Sequence, residues 1–403
     1  MELSADDVNE TVRKLNGIAN NEITAEGNDS SRLLSTESLK KIVRNSKDTV
    51  PQMVILGAKG SGKTYIYKSM LLAQTWNSFV RIVEPQKVSN NMDVPIIPLL
   101  TSQHLVGKIV NTIKESVREA NKKLQDIIFE EDIANQNFRR IDQYMNKAGE
   151  QDWHSMWEEI ICDSVSNQKF ASLSEMDEYL EKRQKKLIFI IDGLEDLVNS
   201  DQQESQWKNV LKTLCQDVMN DLRYLHYGNI GLIVFARKDM TEEAIRKNYA
   251  QFENQYSDYM LKWSPAEALR LALWLTAQAN PVFSDNIDIL TATKDALEKK
   301  LEMLWGKKLG KSDSREANSA RWIIAALSDF TGQLQARDIV RFLYYATKRE
   351  GGGKLVYSTC TFSKDEDEEQ IERFLGRHAD YHLVRAKPCD GMRYEKNCLR
   401  SEE

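Results

Sequence analysis

Eight residues near the start of the chain carry the clearest chemistry. Gly57, Ala58, Lys59, Gly60, Ser61, Gly62, Lys63 and Thr64 follow the spacing G-x-x-x-x-G-K-[ST]. Glycines let a backbone turn tightly with its N–H groups pointing inward, which makes an anion nest suited to phosphate. Lys63 would bring a mobile positive charge to the β- and γ-phosphates of a nucleotide. Thr64 would offer its hydroxyl to Mg²⁺. A helix starting there would add its positive N-terminal end. Residues 53–56 (MVIL), just before the loop, read as a buried parallel strand, and residues 65–75 read as a helix. That is the context the motif requires. Residues Gly57 to Thr64, with Tyr65 beside them, are therefore expected to bind nucleotide, with ATP as the nucleotide. A chance glycine-rich turn is the bland alternative.

A second motif suits the first. Residues 187–191 (LIFII) form the most apolar run in the chain and end on Asp192. An aspartate at the end of a buried strand is costly unless it has a task. Beside the first loop it can hold Mg²⁺, directly or through water. Otherwise it is an ordinary helix N-cap for residues 192–199.

The base is less plain. Many P-loop ATPases place a glutamate immediately after the strand aspartate to polarise the attacking water, and here that position is Gly193. Glu195 or Asp196 would have to reach back, and Glu195 is the preferred candidate. A solvated acidic helix start explains both residues equally well. Hydrolysis is therefore expected to be slow or conditional. Arg237 follows another apolar run, residues 230–235 (IGLIVF), where P-loop ATPases of the AAA+ kind put a polar sensor of the γ-phosphate, and the resemblance makes it a candidate for that role. Residues 332–337 (GQLQAR) resemble the second sensor of the same superclass, whose arginine reaches the nucleotide from the lid, which makes Arg337 the candidate. Arg341 lies one turn further along the same helix face. Surface ion pairs are the alternative for each arginine.

The elements that must position these residues alternate strand and helix up to about residue 262, which points to an open parallel sheet covered on both faces. The expected fold is α/β: a three-layer P-loop NTPase core with a helical insertion and a C-terminal helical lid. Residues 1–50 read as a polar helical lead-in, with a loose loop at about 25–35. Residues 51–262 read as the core. Residues 94–100 (VPIIPLL) are a candidate strand weakened by two prolines. Residues 102–186 are charged and helical, with Phe138, Tyr144, Trp153, Trp157 and Ile160 at roughly helical spacing. They read as an inserted amphipathic stripe. Residues 205–225 read as a helix. Residues 263–349 read as a separate helical unit, with helices at 266–279, 290–304, 315–330 and 336–347. Residues 350–403 form a tail.

Composition narrows the setting. A chain of 403 residues suggests two or three structural units. A formal net charge of −6 argues against a basic nucleic-acid-binding surface over the whole chain, though a local patch stays open. Five scattered cysteines without a CxxC pair argue against a disulfide framework or a zinc site and favour a reducing cytosol. The polar, acidic amino terminus is not expected to be a signal peptide. No run approaches about 18 apolar residues, so no membrane span is expected.

The set LGAKGSGKT, LIFIIDGLED, IGLIVFARKDM and TGQLQARDIVRFL resembles signal-transduction ATPases (STAND) and origin-recognition-like relatives within the AAA+ branch. The run LKWSPAEALRLALW is similar to that of a bacterial P-loop ATPase module often joined to a ParA-type ATPase. The resemblance spans about residues 50–347, and the ParA-type half is absent. It implies a nucleotide-driven switch or motor subunit with a protein partner or further copies of itself. It also implies a regulatory, anti-phage or mobile-element setting. Residues 351–384 differ. GGGKLVYSTCTFSKDEDEEQIERFLGRHADYHLV resembles the end of bacterial RNA 5-methylcytosine methyltransferases, in which the cysteine matching Cys360 is the nucleophile. The rest of such an enzyme is missing, including an upstream Pro-Cys-Ser-Gly motif. Pro388-Cys389-Asp390-Gly391 lies on the wrong side of Cys360. The tail therefore reads as a fused or recombined fragment, since a nucleophile without cofactor and base pockets does no chemistry.

Overall fold

Four apolar runs become strands: β1 (Gln52–Gly57), β2 (Ile96–Leu100), β3 (Leu187–Ile191) and β4 (Ile230–Arg237). The computed structural model describes residues 4–23, 32–46, 48–87, 92–147, 151–198, 206–309, 315, 317–329 and 332–348. All strand pairs are parallel, and the order across the sheet is β1-β4-β3-β2. Strands buried on both faces read as continuous apolar runs, which is why each was legible.

Alternate residues divide cleanly between two cores. Val54, Leu56, Phe189, Ile191, Leu232 and Val234 face one. Met53, Ile55, Ile188, Ile190, Ile233 and Phe235 face the other. The first core takes in the helices of the insertion, including Ile133–Met145, Trp153–Cys162 and Leu173–Lys182. The second takes in Glu37–Asn45, Lys63–Ala73 and Trp76–Val83. The result is an α/β architecture with helices on both faces of a parallel sheet. Pro98 is tolerated because β2 is an edge strand, and the register shifts between Pro98 and Leu100.

A third core belongs to five helices: Ala5–Glu22, Pro265–Ala279, Lys294–Trp305, Ser319–Leu327 and Ala336–Thr347. Leu15 and Ala19 of the first helix are fully buried in it. That helix packs on Ala336–Thr347 and Pro265–Ala279. The lead-in thus divides, its first helix joining the bundle and its second the sheet. Glu267 ties the parts together. It completes the capping box of its own helix with Ser264 and accepts the Glu37 N–H at 3.0 Å. The chain divides into two units, Met1–Lys348 and Arg349–Glu403. The second, with Cys360, Cys389 and most of the methyltransferase-like segment, lies outside the described residues.

Several element bounds differ from the periodicity reading, and capping accounts for them. The helix after the loop ends at Ala73, because Gln74 takes a left-handed cap (φ 62°) and Thr75 caps the next helix. Thr293 and Asn318 cap helices that start later than their apolar runs suggest. The helix expected over 205–225 is broken by a π turn at Leu214–Val218. The turn after Asp192 is a 3-10 turn, Leu194–Leu197, rather than an α-helix.

At the edge where the strands begin, Asp177 is 1% exposed. It accepts N–H groups from Tyr227 (2.8 Å), Gly228 (3.3 Å) and Asn229 (2.8 Å), and so pins the loop that enters β4. Asp177→Ala should cost roughly 3 kcal/mol, since stranded donors lose charge-assisted bonds. An unchanged urea midpoint would show that the loop finds other partners.

Candidate functional site

Because the four strands are parallel, their carboxyl ends share one edge, where open α/β sheets bind ligands. Gly57 ends β1 and residues 58–64 follow it, Thr101–His104 follow β2, Asp192–Asp196 follow β3, and Arg237 ends β4. A pocket of about 440 Å³ opens there. Its walls include Lys59 to Ile66, Glu195 and Arg237 from the sheet side and Trp263, Trp274 and Arg337 from the bundle.

The loop has the backbone its glycines permit. Gly60 and Gly62 take φ of 89° and 102°, which side chains rarely adopt. A Cβ at Gly57 would meet Ser61 Oγ at 2.3 Å. Lys63 opens the following helix and is 7% exposed. Its Nζ donates to the carbonyls of Gly57 (3.0 Å) and Ala58 (3.1 Å). Burial pulls the Lys63 ammonium below its ordinary pKa, while Asp192 and Glu195 oppose this. Thr64 and Tyr65 line the pocket, and the Tyr65 hydroxyl donates to the Glu22 carboxylate. Gly57 and Ala58 lie behind the pocket wall, bracing Ser61 and Lys63.

Asp192 is 1% exposed, and neither carboxylate oxygen has a well-formed hydrogen bond. Burial pushes its carboxyl up to about 7, Glu195 adds to this, and Lys63 opposes it. The Thr64 hydroxyl and Gly193 N–H are near enough to oppose it too. A buried carboxylate without a well-formed hydrogen bond, beside a hydroxyl, fits a cation ligand set. Among the described residues, no three His, Cys, Asp or Glu side chains cluster to hold a metal.

Glu195 and Asp196 separate in role. Asp196 is buried and accepts from Ser102 Oγ (2.8 Å) and the Gln103 N–H (2.7 Å), with His104 Nε2 at 3.5 Å. It is committed to holding the loop after β2. Glu195 is half-buried in the pocket wall and close enough to act on Lys63, Asp192 and Arg237. Gly193 shows why no glutamate sits next to Asp192. Its φ is 86°, and a Cβ there would lie 2.4 Å from Ser102 Cα. Ser102 and His104 were missed in the sequence; the only signal was a polar Thr-Ser-Gln-His run directly after a strand.

The arginines also differ. Arg237 lines the pocket and is forked onto Asp239. Arg337 lines it from the bundle, and its N–H donates to the Gly60 carbonyl at 3.1 Å. Its side chain lies along Gly60, where an added Cβ would meet Arg337 Cβ at 3.0 Å. Arg341 is exposed and outside the pocket wall. Trp263 Nε1 donates to the Ser61 carbonyl at 2.9 Å, a second bond from the bundle to the loop.

The 16S rRNA methyltransferase RsmB/F family model matches residues 329–400. The match covers the tail and reaches back through the helix Ala336–Thr347, whose Ile339, Val340 and Leu343 are buried in the bundle core. No curated protein and no solved structure matches the chain. Among the described residues, no helix is long and apolar enough to cross a membrane.

Proposed function

We propose that this chain binds Mg²⁺–ATP at residues 57–65 and hydrolyses it, as an AAA+/STAND-like P-loop ATPase whose helical bundle acts as a lid. The observation that carries this reading is the unpartnered, buried Asp192 carboxylate next to Thr64 and Lys63, at the mouth of a glycine-rich loop. Thr64 and Asp192 would hold Mg²⁺, which neutralises phosphate charge when bound. The loop N–H groups and Lys63 cradle the phosphates. Ile23, Leu34, Leu271 and Trp274 offer apolar wall for the base. Glu195 takes the proton of the attacking water as its oxygen bonds the γ-phosphorus. The bond from that phosphorus to the bridging oxygen breaks, and ADP leaves. Arg237 and Arg337 meet the charge on the γ-phosphate. A cytosolic switch or motor subunit, with a protein partner or further copies of itself, follows from the same resemblance.

Titration calorimetry with Mg²⁺–ATP, paired with phosphate release, tests the proposal; a chain that binds no nucleotide sinks it. Asp192→Asn should remove most Mg²⁺ stimulation of turnover, by on the order of tenfold or more, because the neutral amide is a poor ligand. Full Mg²⁺-stimulated activity in that variant would place the ligand elsewhere.

A second reading is a nucleotide-binding regulatory module with little turnover. The structural fixing of Asp196 and the closed space at Gly193 favour it, since they tie one acidic side chain of the pocket wall to the loop after β2 and leave Glu195 as the remaining candidate base near Asp192. Phosphate release with and without added partners separates the two. The match at residues 329–400 supports RNA methyl transfer only if labelled methyl reaches RNA and Cys360→Ala stops it.

A further inference from the structure

Arg237 ends β4, and its side chain is only 24% exposed, against the pocket. Its Nε donates to Asp239 Oδ1 at 3.1 Å and its Nη2 to Asp239 Oδ2. The pair uses one edge of the guanidinium. Among the described residues nothing else accepts a hydrogen bond from it, so the edge carrying Nη1 is left for a ligand. Asp239 sits in the first turn of the helix Lys238–Ile245, whose start is locked by Thr241 Oγ1 donating to the Arg237 carbonyl at 3.1 Å. The carboxylate is therefore fixed relative to the end of β4. An arginine side chain has many rotamers, and a planar fork held along one edge loses that freedom before a ligand arrives.

We propose that Asp239 is a positioning residue that holds Arg237 with its open edge toward the γ-phosphate of the bound nucleotide. The inference rests on the nucleotide reading above. Asp239 does not touch the nucleotide. It acts through Arg237, so its effect should follow the third phosphate. ADP lacks that group and should bind Asp239 variants as it binds the parent.

The test measures ATP and ADP affinity and turnover for Asp239→Ala, Asp239→Asn, Arg237→Ala and the double alanine variant. Asp239→Ala should lower kcat about tenfold, by analogy with the loss on removing a partner that orients a metal ligand. The ATP-to-ADP affinity ratio should fall with it. Asp239→Asn keeps one acceptor oxygen and should recover part of the loss. In the Arg237→Ala background, Asp239→Ala should have no further effect. A half-exposed pair adds little stability, so melting temperatures should stay together. The proposal is overturned if Asp239→Ala keeps the parental rate and ratio, or if its effect persists without Arg237. A rise in ATP affinity also overturns it, because Asp239 would then be competing with phosphate for Arg237. A parent that binds neither nucleotide would overturn this inference together with the proposed function, whereas normal parental binding with an unmoved ratio overturns this inference alone.

Discussion

Lys63→Ala should weaken Mg²⁺–ATP binding by orders of magnitude while leaving the chain folded. In the structure the Lys63 ammonium is buried, bonded to two loop carbonyls and close enough to feel the charges of Asp192 and Glu195. Those carbonyls belong to the loop, and removing the lysine also removes the cost of burying its charge. The fold should therefore lose little, and the melting temperature should move by no more than a few degrees. Binding should lose about 10²- to 10³-fold, at about 1.4 kcal/mol per tenfold. Two effects combine. The phosphates lose their point charge, and Asp192 and Glu195 lose the cation that offsets their repulsion of an anion. Calorimetry gives the affinity and circular dichroism checks the fold. Undiminished ATP affinity in a folded variant would mean that residues 57–65 are not the site.

What was legible in the sequence follows from physical range. β1, β3 and β4 were readable because parallel strands are apolar throughout, and the glycine-rich loop because its spacing is local. Asp192 was readable because a charge at the end of the most apolar run is conspicuous. Pairing across long separations was not. Leu15 and Ala19 lie more than 200 residues from the helices they pack against, and nothing in their own segment marks that destination. The division of labour between Glu195 and Asp196 was equally hidden. It depends on Ser102 and Gln103, which only the pairing of β2 with β3 brings alongside. Gly193 looked like a missing catalytic residue and proves to be a close approach of two backbones. Helix ends were misplaced where a threonine or asparagine cap, rather than apolar periodicity, sets the start.

Arg337→Ala isolates one group unusually well. Alanine keeps the Cβ that rests on Gly60 and the N–H that donates to the Gly60 carbonyl, so the bundle stays joined to the loop. What is lost is the guanidinium, which has no carboxylate partner among the described residues and borders the pocket. If it meets the γ-phosphate, its charge matters with ATP bound and little with ADP, because ADP lacks the third phosphate. Turnover should then fall by about 10³-fold if Arg337 acts as a strong phosphoryl-transfer arginine, with ADP affinity close to parental. Arg341→Ala is the matched control, one turn along the same helix, exposed and outside the pocket wall. It should hydrolyse ATP at the parental rate. The comparison is read from phosphate release at saturating ATP and from ADP titrations on the same preparations. Parental rates in both variants would reduce the helix Ala336–Thr347 to a packing element. The lid would then have no catalytic arginine, and the passive nucleotide-binding module would become the better reading of the whole site.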